Sequence, residues 1–345
     1  MSKLVAERFV TPKVFWVGYT EINEDGLNAY LEYSGNQDFK KSVEKARDQG
    51  LSSAEILCSF FAKLCYKALT LGQNANVTRT RDIWDNLANC FDVGHGSVFE
   101  HVGFNFVVAD CSRVFTHELV RHRIGTAFSQ TSGRYCRLDH IPLVWDPILD
   151  PVKDLFNSCV VNIEKTIYLA ECRLGLRKPV ESLFGLMPAE AYCDQRVFRA
   201  KLAENESTYS GPFHVIKESI KWVPDNSFDF TKRKKITSAI RRIAPNGQAN
   251  EIGFSVNLRS LRHTVMMRTA GFAEQEIRDV FAQIYHLIKA KYPMVFHGAK
   301  EKEVEGFTEV TGLKCQPYEK TAEMVLSEMT TDEIKHYLET RASAV

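Results

Sequence analysis

Residues 121–135, RHRIGTAFSQTSGRY, carry three arginines and a histidine in fifteen positions, with no acidic side chain among them. Five further positions, Thr126, Ser129, Gln130, Thr131 and Ser132, bear an aliphatic hydroxyl or an amide. Burying such a stretch in an apolar core would strand several charges, each too costly to desolvate without a partner. The fold must therefore hold this segment at a surface or against an anion. Two readings are open: a solvated basic face pinned by salt bridges, or a segment that wraps a phosphate-like group with side-chain and backbone donors. The interleaving of small donors with arginine favours the second.

Any such anion site has to be local, because 44 basic and 43 acidic side chains in 345 residues leave a net charge of +1. A global field for nucleic acid or a membrane surface is not expected, so neither is expected as a partner. The nine cysteines are an odd number without a CxxC pair, and most stand in apolar surroundings such as ILCSFFAKLCYKAL. They read as buried free thiols of a reducing compartment. The opening MSKLVAERFV lacks the apolar run of a signal peptide, and no stretch has the length of a membrane span. A cytoplasmic protein is expected.

Along the chain, periodicity predicts a mostly helical N-terminal segment, residues 1–80, ending after AEILCSFFAKLCYKAL. DIWDNLANCFDVGHGSVFEH starts as a helix and breaks at Gly-x-Gly; VGFNFVVAD alternates as a strand; CSRVFTHELVRHR returns to helical spacing, with Ser112 as its cap. Residues 145–235 form a motif-poor insertion, within which DPILDPVKDLFNSCVVNIEKTIYLAECRLGL reads as one helix or two. FDFTKRKKITSAIRRIAPNG opens as a polar, basic linker, and the charged tail 298–345 contains a short helix, TTDEIKHYLETRASA. The pattern is α+β with helix dominating, centred on residues 81–297.

Three further clusters could carry chemistry. GHGSVFEH places His95, Ser97, Glu100 and His101 within eight residues. A metal site, a helix-capping turn and a ligand contact all remain open for it, and HExxH is absent. In CSRVFTHELVRHR, helical spacing would put Arg113, His117 and Arg121 on one face and pair Glu118 with Arg121. In NLRSLRHTVMMR, Asn257, Leu261, Thr264 and Arg268 share a stripe, while Arg259 and His263 form an i, i+4 pair on another face. An arginine beside Val265, Met266 and Met267 needs an anionic partner if buried, either an internal glutamate such as Glu276 or a ligand. KKITSAIRRIAPNG adds Arg241 and Arg242 before a proline stop.

Taken in order, these stretches resemble the flavin-dependent thymidylate synthases. The family hallmark RHRxxSxNExSxRY is similar to RHRIGTAFSQTSGRY, which is one residue longer; HxSxxEHxxFxF is similar to GHGSVFEHVGFNF; R-x-x-x-P to RRIAP; and the Asn-x-Arg-Ser/Ala-Leu helix to NLRSLRHTVMMR. The resemblance covers roughly residues 85–140 and 236–297. It implies a helix-rich α+β unit with a central, mainly antiparallel sheet, assembled as a homotetramer with active sites between subunits. It implies FAD-dependent reductive methylation of dUMP to dTMP, with 5,10-methylenetetrahydrofolate as carbon donor and NADPH as reductant. Hydroxymethylation or another modification of a pyrimidine nucleotide is the alternative on the same scaffold.

Residue by residue, the resemblance assigns His95, Ser97, Arg121, His122, Arg123, Gln130, Asn257, Arg259 and His263 to the flavin. It assigns Glu118, Ser132, Gly133, Arg134, Arg241 and Arg268 to the nucleotide, with Arg268 as the catalytic residue at the uracil and no metal. Ser129-Gln130 replaces the family's Asn-Glu. Glu118 stands where glutamine is common, and a carboxylate there repels a phosphate unless an arginine pairs with it.

Overall fold

The computed structural model describes residues 8–135, 138, 141–174, 176, 230–314 and 330–331. Most of the expected insertion, nearly all of the expected C-terminal helix, and Cys136, Cys193 and Cys315 lie outside the described residues. In chain order the first elements are β1 (Phe9–Val10), β2 (Lys13–Tyr19), α1 (Glu24–Tyr33), α2 (Asp38–Asp48), α3 (Ser53–Cys65), α4 (Ile83–Asp92), β3 (Gly103–Cys111), α5 (Arg113–Leu119) and β4 (Thr126–Gln130). There follow β5 (Leu143–Val144), α6 (Lys153–Arg173), α7 (Phe230–Ile240), β6 (Asn250–Asn257), α8 (Leu258–Arg268), α9 (Gln275–Lys289), β7 (Lys300–Val304) and β8 (Phe307–Thr311). The fold is helix-rich α+β, and it divides into two compact units.

The larger unit takes residues 12–109, 117–129 and those from 252 onward. Its centre is a four-stranded sheet of order β2-β3-β6-β4. KVFWVGY alternates as a half-buried strand should, and β2 pairs antiparallel with β3 from Lys13↔Ala109 to Tyr19↔Phe104, with a bulge between Trp16 and Gly18. The mostly helical reading of residues 1–80 thus holds from Glu24 to Cys65, while Lys13–Tyr19 is a strand, rich in β-branched and aromatic side chains, whose burial alternates with period two. Phe104, Phe106 and Val108 of β3 and Ile252, Phe254 and Val256 of β6 face the core. There Phe254 meets Phe281 of α9 edge to face at 6.2 Å. Helix α9 buries Ile277, Phe281, Ile284 and Ile288, an i, i+4, i+7, i+11 stripe. Each such side chain contributes about 1.5–3 kcal/mol of burial.

Helix α3 starts with a reciprocal capping box: the Ser52 hydroxyl accepts from the Glu55 amide, and the Glu55 carboxylate accepts from the Ser52 amide. The second carboxylate oxygen of buried Glu55 accepts from Met294 N at 2.6 Å, so one side chain fastens α3 to the segment after α9. Burial raises its pKa, and the amide bonds oppose that rise.

In the smaller unit β1 and β5 pair in parallel. Leu138, Ile141, Leu143, Val160 and Ile167 form its apolar cluster. Arg8 grips Glu164 of α6 with both terminal nitrogens, at 2.6 and 3.0 Å, and Glu164 also accepts from Ile141 N. The DPILDP stretch makes a 3-10 turn, Pro147–Val152, and Lys153–Arg173 is the single helix α6. KRKK is not a linker: it lies in α7, whose propensity for helix from lysine and arginine outweighs the polar composition.

Cys58, Cys90 and Cys111 are buried free thiols, whereas Cys65 and Cys159 are exposed. Among the described residues no helix is long and apolar enough to cross a membrane.

Candidate functional site

In the larger unit, the arginine-rich stretch is fastened along α8. Helix α5 stops at Leu119, whose side chain is buried, and the chain turns there through Arg121 N to Glu118 O (3.2 Å) and His122 N to Leu119 O (3.1 Å). Arg121 therefore lies beyond the helix, and the expected face of Arg113, His117 and Arg121 does not form. Further on, the Ser260 hydroxyl donates to Ile124 O at 2.7 Å, and Asn257 N donates to Gly125 O at 2.8 Å. Gly125 has a φ of +65°, and a Cβ there would sit 2.2 Å from Asn257 Nδ2, so only glycine lets the two segments approach this closely. Asn257 itself caps α8, its side-chain oxygen accepting from Ser260 N at 2.9 Å.

The loop runs back along α8 until His122 reaches the far end of the helix. There Arg268 donates from Nε to His122 Nε2 at 2.7 Å and from Nη1 to Glu118 Oε2 at 2.8 Å. The internal partner of Arg268 is therefore Glu118, 150 residues away, and not Glu276. Because Nε2 accepts, His122 is neutral with its proton on Nδ1. Burial, then the charges of Arg268 and His263, push its pKa down to about 4, which keeps it neutral at physiological pH.

Other expected flavin residues of this unit are placed differently. Arg259 pairs with Glu100 at 2.5 Å. His95 makes no capping bond and lies edge-on to Tyr66; Ser97 is exposed; and His101 stacks on Phe61 at 3.9 Å. Among the described residues no group of three or more histidine, cysteine or acidic side chains could hold a metal ion. Arg121 and Arg123 are exposed and have no acidic partner among the described residues.

The smaller unit holds a second cluster, around Ser132-Gly133-Arg134. Ser132 closes a turn, its carbonyl accepting from Tyr135 N at 3.0 Å and its hydroxyl from Arg134 N at 3.3 Å. A Cβ built on Gly133 would lie 3.5 Å from both Arg113 Nη2 and Arg241 Cδ, so the two arginines flank this glycine. Neither has an acidic partner among the described residues. Burial and then the charge of Arg241 lower the pKa of Arg113. Gln130 is tied inward, donating to the Thr116 hydroxyl at 3.0 Å. Arg134 is exposed.

Arg113 is the residue that reading the sequence left unassigned. A signal for it existed: it stands in the first turn of α5, next to the capping Ser112, with no acidic residue in that turn. A cation there opposes the helix dipole and is retained at a cost. Two such cations facing each other without a counter-charge are a ready anion site.

Comparison with known proteins shows the family. A family model described as thymidylate synthase complementing protein matches residues 49–294, well over half of the chain and all four of the ordered motifs. The chain belongs to the flavin-dependent thymidylate synthase family. A flavin-dependent thymidylate synthase of Corynebacterium diphtheriae is 26% identical over 252 residues, covering 72% of this chain and 80% of the relative. One of Clostridium tetani is 26% identical over 263 residues, covering 76% and 88%. The crystal structure of thymidylate synthase X from Helicobacter pylori with FAD and dUMP is 15% identical to this chain, covers 83% of it and 95% of its own length, and has a TM-score of 0.37. At that likeness the placement of side chains rests on this chain's own residues. As a flavin-dependent thymidylate synthase, the chain is an enzyme of the transferase class.

Proposed function

We propose that this enzyme methylates dUMP to dTMP reductively, with FAD as bound cofactor, 5,10-methylenetetrahydrofolate as carbon donor and NADPH as reductant. The observation that carries the reading is the pair Arg113 and Arg241 beside Gly133, two cations without acidic partners next to the turn of Ser132. A nucleotide monophosphate is the anion that fits them, with Ser132, Gly133 and Arg134 supplying further donors. The uncompensated Arg121 and Arg123 fit the diphosphate of FAD in the same way. His95, Ser97, His122, Gln130, Asn257, Arg259 and His263 complete the set the family resemblance assigns to the flavin.

Methylation at uracil C5 requires negative charge to develop on the ring. Arg268, held at one end of α8, would meet that charge, and a preorganised donor of this kind is worth about 3 kcal/mol of barrier. Bound flavin supplies the carrier and hydride chemistry. Cys58 and Cys90 have thiols pushed up by burial, Cys90 to about 11, so neither is poised as a nucleophile. The exposed apolar side chains of β2, Phe15, Val17 and Tyr19, support self-association, which a homotetramer with sites between subunits would use. Cytoplasmic nucleotide synthesis is the setting this reading implies.

Anaerobic incubation with dUMP, methylenetetrahydrofolate, FAD and NADPH should yield dTMP, identified by mass. A hydroxymethylated nucleotide would replace methylation by the alternative chemistry. No modified nucleotide at all, or a purified protein without a flavin absorption band, would remove the assignment.

A further inference from the structure

Arg268 spends two of its three guanidinium nitrogens on the protein. Nε donates to His122 and Nη1 to Glu118, while Nη2 has no protein partner among the described residues. The pair is neither solvated nor sealed: the Arg268 side chain is 20% exposed and that of Glu118 is 27% exposed. A guanidinium is planar, so two bonds on adjacent edges fix both the tilt of the plane and the direction of the third edge. Arg268 is also the last residue of α8, with several rotatable bonds between its backbone and its charge, and nothing in its own helix could set that direction.

We propose that Glu118 and His122 are positioning residues that orient Arg268 so that its Nη2 edge faces the reacting pyrimidine. The inference rests on the methylation reading given above and adds a division of labour within it. Glu118 acts on Arg268 and not on the nucleotide. The carboxylate, a repulsive neighbour for a phosphate, is thereby spent on an internal cation. His122 can accept from Nε only while neutral, and its surroundings keep it so. Glu118 comes from the last turn of α5 and His122 from the loop that follows it, so the same loop that is bolted to Asn257 and Ser260 also helps to set the arginine.

What matters at Glu118 on this account is an acceptor oxygen at the right place. The test uses the full chain with bound FAD and compares Glu118→Gln, which keeps an acceptor, with Glu118→Met, which keeps length without one. For each, kcat is measured in dUMP turnover, and dUMP affinity is read from the change in flavin absorption on titration. Glu118→Met should lose roughly 30-fold in kcat, the scale expected for a displaced catalytic group, with dUMP affinity within about threefold of wild type. Glu118→Gln should recover most of that kcat. Glu118→Ala serves as the non-accepting variant should Glu118→Met fail to fold.

Retained kcat in the folded non-accepting variant overturns the proposal. So does a loss that appears in dUMP affinity at unchanged kcat, which would make Glu118 a substrate contact. Absence of dTMP from the wild-type enzyme would instead defeat the functional reading before any variant is compared. Normal wild-type turnover with a fully active Glu118→Met defeats the positioning role alone.

Discussion

The two arginine clusters are built on opposite electrostatic plans. In the smaller unit Arg113 and Arg241 flank Gly133 with no counter-charge, and their mutual repulsion helps to lower the pKa of Arg113. In the larger unit Arg268 is matched by a carboxylate and a neutral imidazole. An uncompensated pair stores unfavourable energy that an incoming anion relieves, which suits binding. A compensated arginine gives up part of its field in exchange for a fixed direction, which suits stabilising charge that develops at one place. On the proposed reading, the same residue type serves affinity in one cluster and geometry in the other.

The largest effect that would break this contrast is at Arg268. Arg268→Ala should abolish turnover, by about 10²–10³-fold or more in kcat, while leaving bound flavin largely in place. Normal dTMP formation by that variant would end its assigned role. Arg121→Ala should lose flavin, and stoichiometric FAD in the purified variant would count against that contact.

Arg113→Ala sharpens the contrast because stability and function should move in opposite directions. Loss of a charged hydrogen bond to phosphate, roughly 1.5–3 kcal/mol, predicts a rise of about 10- to 100-fold in the KM for dUMP. Relief of repulsion with Arg241 and of the unfavourable helix-terminus charge predicts an unchanged or raised Tm. A fall in Tm with an unchanged KM would make Arg113 a structural residue.

Gly125→Ala tests how the larger cluster is held. The added methyl would collide with the Asn257 amide in a backbone conformation that already disfavours a side chain, which should cost about 1–3 kcal/mol and lower Tm. A Tm equal to that of the wild type would show that the loop is not fastened there.

The smallest effect concerns pH. The His122 pKa is about 4 in the folded chain against 6.5 ordinarily. Between those values the unfolded chain binds a proton that the folded chain refuses, so stability falls as pH falls from about 6.5 to 4. In His122→Gln this part of the slope should disappear from a Tm-against-pH series, and an unaltered slope would mean that His122 is not held neutral.

Much of this molecule was readable in one dimension, where the determining physics is local. The apolar spacing of AEILCSFFAKLC and DIWDNLANCF marks α3 and α4; the alternation of GFNFVVAD marks β3; Ser112 announces the start of α5 through a side chain that caps the amide three residues on. The surface placement of the cations in RHRIGTAFSQTSGRY was legible because burial would strand them, and Arg121, Arg123 and Arg134 are indeed exposed. The end of α5 at Leu119 was less legible, since HELVRHR continues in helical spacing and the turn depends on how Leu119 is buried.

Amino-acid order alone determined α3, α4, β3 and the start of α5, and which segments must carry cations to a surface, since propensity, periodicity and capping act over a few residues. Only the tertiary structure decided the pairings: that Arg268 meets Glu118 and His122 rather than Glu276, and that Arg113 faces Arg241 across Gly133. Those partners stand more than a hundred residues apart in the chain, and no local rule ranks one distant carboxylate above another until packing has brought it within hydrogen-bonding reach.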